Sequence, residues 1–177
     1  ALPWLLSLLR SPVAVESLPR SPQANVDVKQ GVLVQVVHAV AHCATDAGTP
    51  SELASEAVDV LVLAMERAVA EAEVFTAEAD PEALAAQEPL LHNMYHNEQP
   101  LAFFVIERRR TVLEGCVALG LIGAQAVADG ESDTATAACA ALLQVATSEE
   151  PGMSFSAFMP RMSVRHNAAY GLVRLTS

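Results

Sequence analysis

Aromatic residues make up only 5% of this 177-residue sequence, with a single Trp. Its apolar content is nevertheless high, at 52%. A core must therefore be filled by Ala, Val and Leu rather than by rings. Charge is also scarce. At 18%, Asp, Glu, Lys and Arg fall below the quarter usual for a soluble domain, which implies deep burial or apolar faces covered by other chains. Cysteine is limited to Cys43, Cys116 and Cys139, an odd number without a CxxC pair. That excludes a disulfide framework and points to an intracellular, reducing compartment, either the cytoplasm or an organelle interior. Long hydrophobic runs are missing as well. The cleanest, Gly115 to Ala128, covers 14 residues between Glu114 and Asp129. A bilayer needs about 20, so no membrane span is expected. The sequence does not open on Met and has no recognisable signal peptide, so the expectation is a processed chain or part of a longer one. No apolar–polar alternation of strand type occurs.

Basic residues are few, ten against twenty-one acidic ones, for a net charge of −11. The excess is local. Between Asp46 and Glu98 there are twelve carboxylates and one base, Arg67. Such a segment excludes direct binding to a phosphate backbone, which requires Lys and Arg. It suits a solvated face or a basic protein partner.

What is present is helical patterning. Pro3 to Arg10 is a short amphipathic helix with Pro in its first turn; Ser11-Pro12 ends it. The stretch from Pro19 to Asp27 reads as a linker. Val28 to Thr45 is apolar nearly all round, except for a stripe of Gln35, His38, His42 and Asp46. Gly48-Thr49-Pro50 stops this helix, and Ser51 caps the next, which runs to about Phe75. Leu53, Ala57, Val60, Leu61, Ala64 and Ala68 form its inner face; Glu52, Glu56, Asp59, Glu66 and Glu73 form its outer one. Two short helices follow, from Asp80-Pro81 and between Pro89 and Pro100. Leu101 to Leu121 is one helix or two, and Asp129-Gly130 closes the apolar run. Ser132 or Asp133 caps a helix to about Thr147. A Met/Phe-rich piece, Met153 to Met162, precedes the last helix, Val164 to Leu175. The reading is an all-α fold of residues 1–177, one domain or a segment of a longer array.

Three segments resemble one another: Val28-Lys29-Gln30-Gly31-Val32-Leu33, Arg110 to Gly120, and Val164-Arg165-His166-Asn167-Ala168-Ala169-Tyr170-Gly171-Leu172. Each has a basic residue near its start, followed by small and aliphatic residues at helical spacing. A recurring helix that cannot bury its apolar faces alone must stack on its own copies. The last segment, and Leu2-Pro3-Trp4-Leu5-Leu6-Ser7-Leu8-Leu9 before the first, resemble the paired helices of HEAT and armadillo repeats. There the first helix often opens Leu-Pro-x-Leu-Leu-x-Leu-Leu, and the second opens Val-Arg and runs Ala-Ala-x-x-Leu. The resemblance implies stacked antiparallel helix pairs, an α-solenoid. Its spacing is irregular. Gly115 to Ala168 is a step of 53 residues, and Val32 to Gly115 one of 83, against about 40 to 47 in regular HEAT repeats. The acidic segment, 46–98, is expected as an insertion in the array.

Chemistry-bearing patterns are few. His38-Ala39-Val40-Ala41-His42 and His92-Asn93-Met94-Tyr95-His96 each place two imidazoles at i and i+4, on one helix face. The alternative reading is a metal-binding helical bundle through His38, His42, His92 and His96. The favoured reading leaves these histidines on a polar rim, because the Glu-x-x-His pattern of di-iron bundles is missing and Pro89 separates Glu88 from His92. Arg108-Arg109-Arg110 is the only dense basic cluster. Pairing with the chain's own acidic segment, or capping a helix end, explains it without a phosphate ligand. Gly115, Gly120 and Gly123 fit neither a P-loop nor GxGxxG and read as close-packing positions. No nucleophile elbow occurs. Met153, Phe155, Phe158, Met159 and Met162 read as core. No enzyme activity, cofactor or resident metal is expected. The expected role is a scaffold or subunit of a hetero-oligomeric protein assembly. Its contacts are expected at Glu66, Glu71, Glu73, Glu78 and Asp80 on the acidic segment, and at Arg108, Arg109 and Arg110.

Overall fold

A computed structural model describes residues 1–11, 32–78, 100–147 and 164–176. These residues form six α-helices and no strand: α1 Leu2–Arg10, α2 Val32–Ala44, α3 Ser51–Glu78, α4 Pro100–Asp129, α5 Ser132–Thr147 and α6 Val164–Leu175. The expected all-α class is observed.

Local chemistry sets the helix limits. Pro3 lies in the first turn of α1 and Pro100 opens α4, where a missing N–H costs nothing. At the end of α2 the Thr49 hydroxyl donates to the Cys43 carbonyl at 2.6 Å, closing a carbonyl the helix leaves open, and the Thr45 hydroxyl adds a second bond, at 2.9 Å, to the Ala41 carbonyl that its own amide also reaches. The expected cap at Ser51 is displaced by one residue: the Pro50 carbonyl accepts from the amides of Leu53 and Ala54, which puts Ser51 inside α3. Likewise the Glu131 carbonyl accepts from Ala135, so Ser132 is already helical. Gly130 ends α4 with φ 77°. Its amide donates to Val127 and that of Glu131 to Ala126, a Schellman arrangement that favours glycine at this position. Residues 101–121 belong to one unbroken helix, not two.

Every substantial helix–helix interface joins helices one or two apart in the order of the six. Helices α1, α3 and α5 pack in succession, and so do α2, α4 and α6; the two rows pack on each other through consecutive helices. Helix α4 lies centrally, against α2 and α3 on its earlier side and α5 and α6 on its later side. By length and composition its stretch Arg110–Asp129 is sufficient to cross a bilayer, longer than the 14-residue run counted from sequence. Most of that stretch is buried within the protein. The core is one continuous cluster reaching from Leu6 and Leu9 on α1, through Val37 and Val40 on α2 and Ala57 and Leu61 on α3, to Cys116, Leu119 and Ile122 on α4, Ala138 and Leu142 on α5 and Ala168 on α6.

Small residues allow this closeness. A Cβ on Gly120 would stand 2.7 Å from the Cα of Gly171, so α4 and α6 meet backbone to backbone. A Cβ on Gly115 would meet Met65, and one on Gly123 would meet Leu175 and Ala138. The three glycines read as packing positions are packing positions. The acidic segment is not wholly peripheral. Its Ser51–Glu78 part is the core helix α3, whose Ala57, Val58, Leu61, Ala64 and Ala68 are buried in the core. The short helices expected between Asp80 and Pro100, the Pro19–Asp27 linker and the Met153–Met162 piece lie outside the described residues.

Candidate interaction surface

The acidic face belongs to α3. Glu52, Asp59 and Glu66 are exposed at seven-residue spacing, two turns apart, and Leu63 lies exposed on the same stripe. Glu56 sits beside them but pairs with Arg10 of α1, Oε1 to Nη2 at 2.6 Å, with both groups partly in solvent. Arg67 reaches the same end of α1 and donates Nη1 to the Leu9 carbonyl at 3.2 Å. A cation thus meets the negative end of α1. Helix capping by a base, expected of the arginine triplet, is performed here by Arg67.

The triplet itself does not act as a unit. Arg108 is buried, with its side chain 7% exposed, and its Nε donates to Glu71 Oε2 at 2.6 Å. The expected pairing with the chain's own acidic segment is present at this residue, where it ties α4 to α3. Arg110 is half-buried, and Arg109 lies on α4. Of the acidic contacts named from sequence, Glu66 faces solvent and Glu71 is engaged inside the protein. Glu73 and Glu78 lie in the last turns of α3, and Asp80 is outside the described residues.

His38 and His42 are exposed on the polar stripe of α2, as read, together with Gln35, while Asp46 lies exposed just past the helix end. Sequence reasoning missed the partner of His38. Its Nε2 lies 2.8 Å from Glu114 Oε2, bridging α2 to α4. Glu114, a carboxylate within the middle of the three similar segments, thus pairs with an imidazole of α2. His92 and His96 lie outside the described residues. No group of three or more His, Cys, Asp or Glu that could hold a metal occurs among the described residues.

The three thiols lie on three different helices. Cys116 is fully buried in α4, and burial pushes its thiol up to about 12 from 9.0, because a thiolate would lose its hydration there. Cys43 is half-buried and Cys139 exposed, on α2 and α5, and no disulfide joins any of the three. The described surface is therefore one of an acidic stripe, surface ion pairs and isolated apolar side chains, Trp4, Leu63, Leu143, Tyr170 and Val173 among them. Comparison with family models, with curated proteins and with solved structures found no match to this chain.

Proposed function

We propose that this chain is a non-enzymatic α-solenoid of HEAT/armadillo type that serves as a scaffold or subunit within a larger protein assembly. The observation that supports this reading above all is the order of the interfaces: among the described residues, every substantial helix–helix interface joins first or second neighbours in the series, the quasi-one-dimensional connectivity of stacked helix pairs. A second observation agrees. The middle and last of the three similar segments fall on α4 and α6, and the first leads into α2. These are the helices of one row.

The mechanism is presentation of a surface. The paired rows hold α3 rigidly, and α3 offers Glu52, Asp59 and Glu66 around Leu63 to a basic protein surface, for which complementary charge speeds encounter and sets register. Glu71 and Arg108 serve that surface indirectly by fixing α3 on α4.

The test is the native state of association. Protein purified at low salt from its own cells, and sized by light scattering, should elute with other subunits rather than at its own 18.7 kDa. Reversing the charges in Glu52→Lys, Asp59→Lys, Glu66→Lys should weaken that association at least tenfold while leaving the helical circular dichroism unchanged. A stable, solitary monomer would sink the proposal.

A further inference from the structure

The three helix copies occupy different surroundings. Setting Gly115 over Val32 and over Ala168 places Cys116, Gly120 and Gly123 of α4 in register with Leu33, Val37 and Val40 of α2, and with Ala169 and Val173 of α6 and Thr176 in the turn just past it. On α4 these positions receive α6. The Cys116 carbonyl oxygen would lie 3.0 Å from a Cβ built on Gly171, Gly120 abuts Gly171 itself, and Gly123 faces Leu175; all three are buried. On α2, which packs on α4, Val37 and Val40 are fully buried and Leu33 half-buried. In the α6 copy the same three positions are all exposed, Val173 by 59%.

We infer that this stripe of α6 is the seat of one further α-helix, placed on α6 as α6 is placed on α4. This rests on the solenoid reading above and extends it to a specific face. The argument is continuity: the same register position forms the row's interface on α4, and it is buried on α2. Charge then selects the occupant. The formal charges of α6 are Arg165 and Arg174, with no carboxylate. Arg165 is exposed, and Arg174 lies over the Tyr170 ring, 5.1 Å from its centroid. The helix that seats there is amphipathic and acidic, with its carboxylates flanking an aliphatic stripe, and it comes from another polypeptide. A second copy fits poorly. Two α6 stripes face to face set arginine against arginine. Head-to-tail stacking would offer α2, which has no carboxylate to meet Arg165 and Arg174. Val173 in place of Gly120 also sets the approach: a side chain stands at the crossing, so the new helix packs through side chains rather than backbone to backbone.

The test places a photo-crosslinker at the position, Val173→p-benzoylphenylalanine, in the full chain within its native assembly, and sequences the peptide that is captured. The expected capture is a peptide of a different polypeptide, with apolar residues at helical spacing flanked by Asp or Glu. Ala169→Glu, probed through the same crosslinker, should cut its recovery at least tenfold, and Ala169→Arg should cut it less. Both variants should melt with the parent, since Ala169 is exposed. Capture of the protein's own residues, of a second copy, or of a basic peptide overturns the inference, and so does Ala169→Glu without effect. If associated subunits co-purify but nothing is captured at residue 173, this face is wrong and the subunit reading stands. A solitary monomer ends both.

Discussion

Two glycines, Gly120 and Gly171, bring α4 and α6 together backbone to backbone. At Gly120 an added methyl would press on the Gly171 backbone, which has no rotamer to yield. At Gly115 the same methyl meets the Met65 side chain, whose unbranched thioether can turn away. Gly120→Ala should therefore destabilise the protein by about 2 kcal/mol, the usual scale of overpacking. Gly115→Ala should cost less, because Met65 can yield and the gain of about 1 kcal/mol in helix propensity is then less offset by overpacking. Urea denaturation of the two variants checks the order. Cys116 gives a second prediction at this scale. Its folded thiol titrates near 12, raised by burial, and its unfolded thiol at 9.0. The unfolded state therefore loses its proton first, so the stability tied to this group is whole below pH 9 and declines as pH rises from 9 toward 12. The wild type should lose more stability than Cys116→Ala across that window. At pH 8 a thiol reagent should label exposed Cys139 quickly and Cys116 only on unfolding.

Helices are joined here by single polar contacts laid over apolar ones. The Arg108–Glu71 pair is lopsided: Arg108 is 7% exposed and Glu71 32%. Removing the carboxylate leaves a buried charge without this partner, whereas removing the arginine leaves a carboxylate that water can reach. Glu71→Ala should cost about 2–3 kcal/mol and Arg108→Met clearly less. Chemical denaturation of both, with the double variant closing the cycle, measures the difference. The exposed Arg10–Glu56 and His38–Glu114 pairs should each contribute under about 1 kcal/mol. Element boundaries were legible where a residue type permits only one geometry: Pro3, Gly130 and the Val164–Leu175 pattern. They slipped by a residue at Ser51 and Ser132, because a backbone carbonyl accepts the first helical bond one position earlier than the hydroxyl suggested. The partner of His38 was beyond sequence reasoning, since Glu114 lies 76 positions away and only the packing of α2 on α4 brings them together.

Taken whole, the molecule is an ordered series, and its stability should be graded along it. Helix α4 has neighbours on both sides, while α1 and α6 stand at the two ends of the described series. Amide hydrogen exchange should be slowest across residues 111–122 of α4 and faster in α1 and α6, as expected when terminal units open before central ones. Uniform protection across the six helices would instead indicate a single cooperative bundle. The sequence alone determined the all-α class, the small-residue core, the acidic helix face and the likeness of three segments, because helical period and composition are local properties carried by near neighbours. Only the tertiary structure decided that α3 belongs to the core, that Arg108 is buried against Glu71, and that one register position is buried twice and exposed the third time. Those outcomes depend on which helix lies beside which, and such long-range contacts leave no periodic trace in the chain.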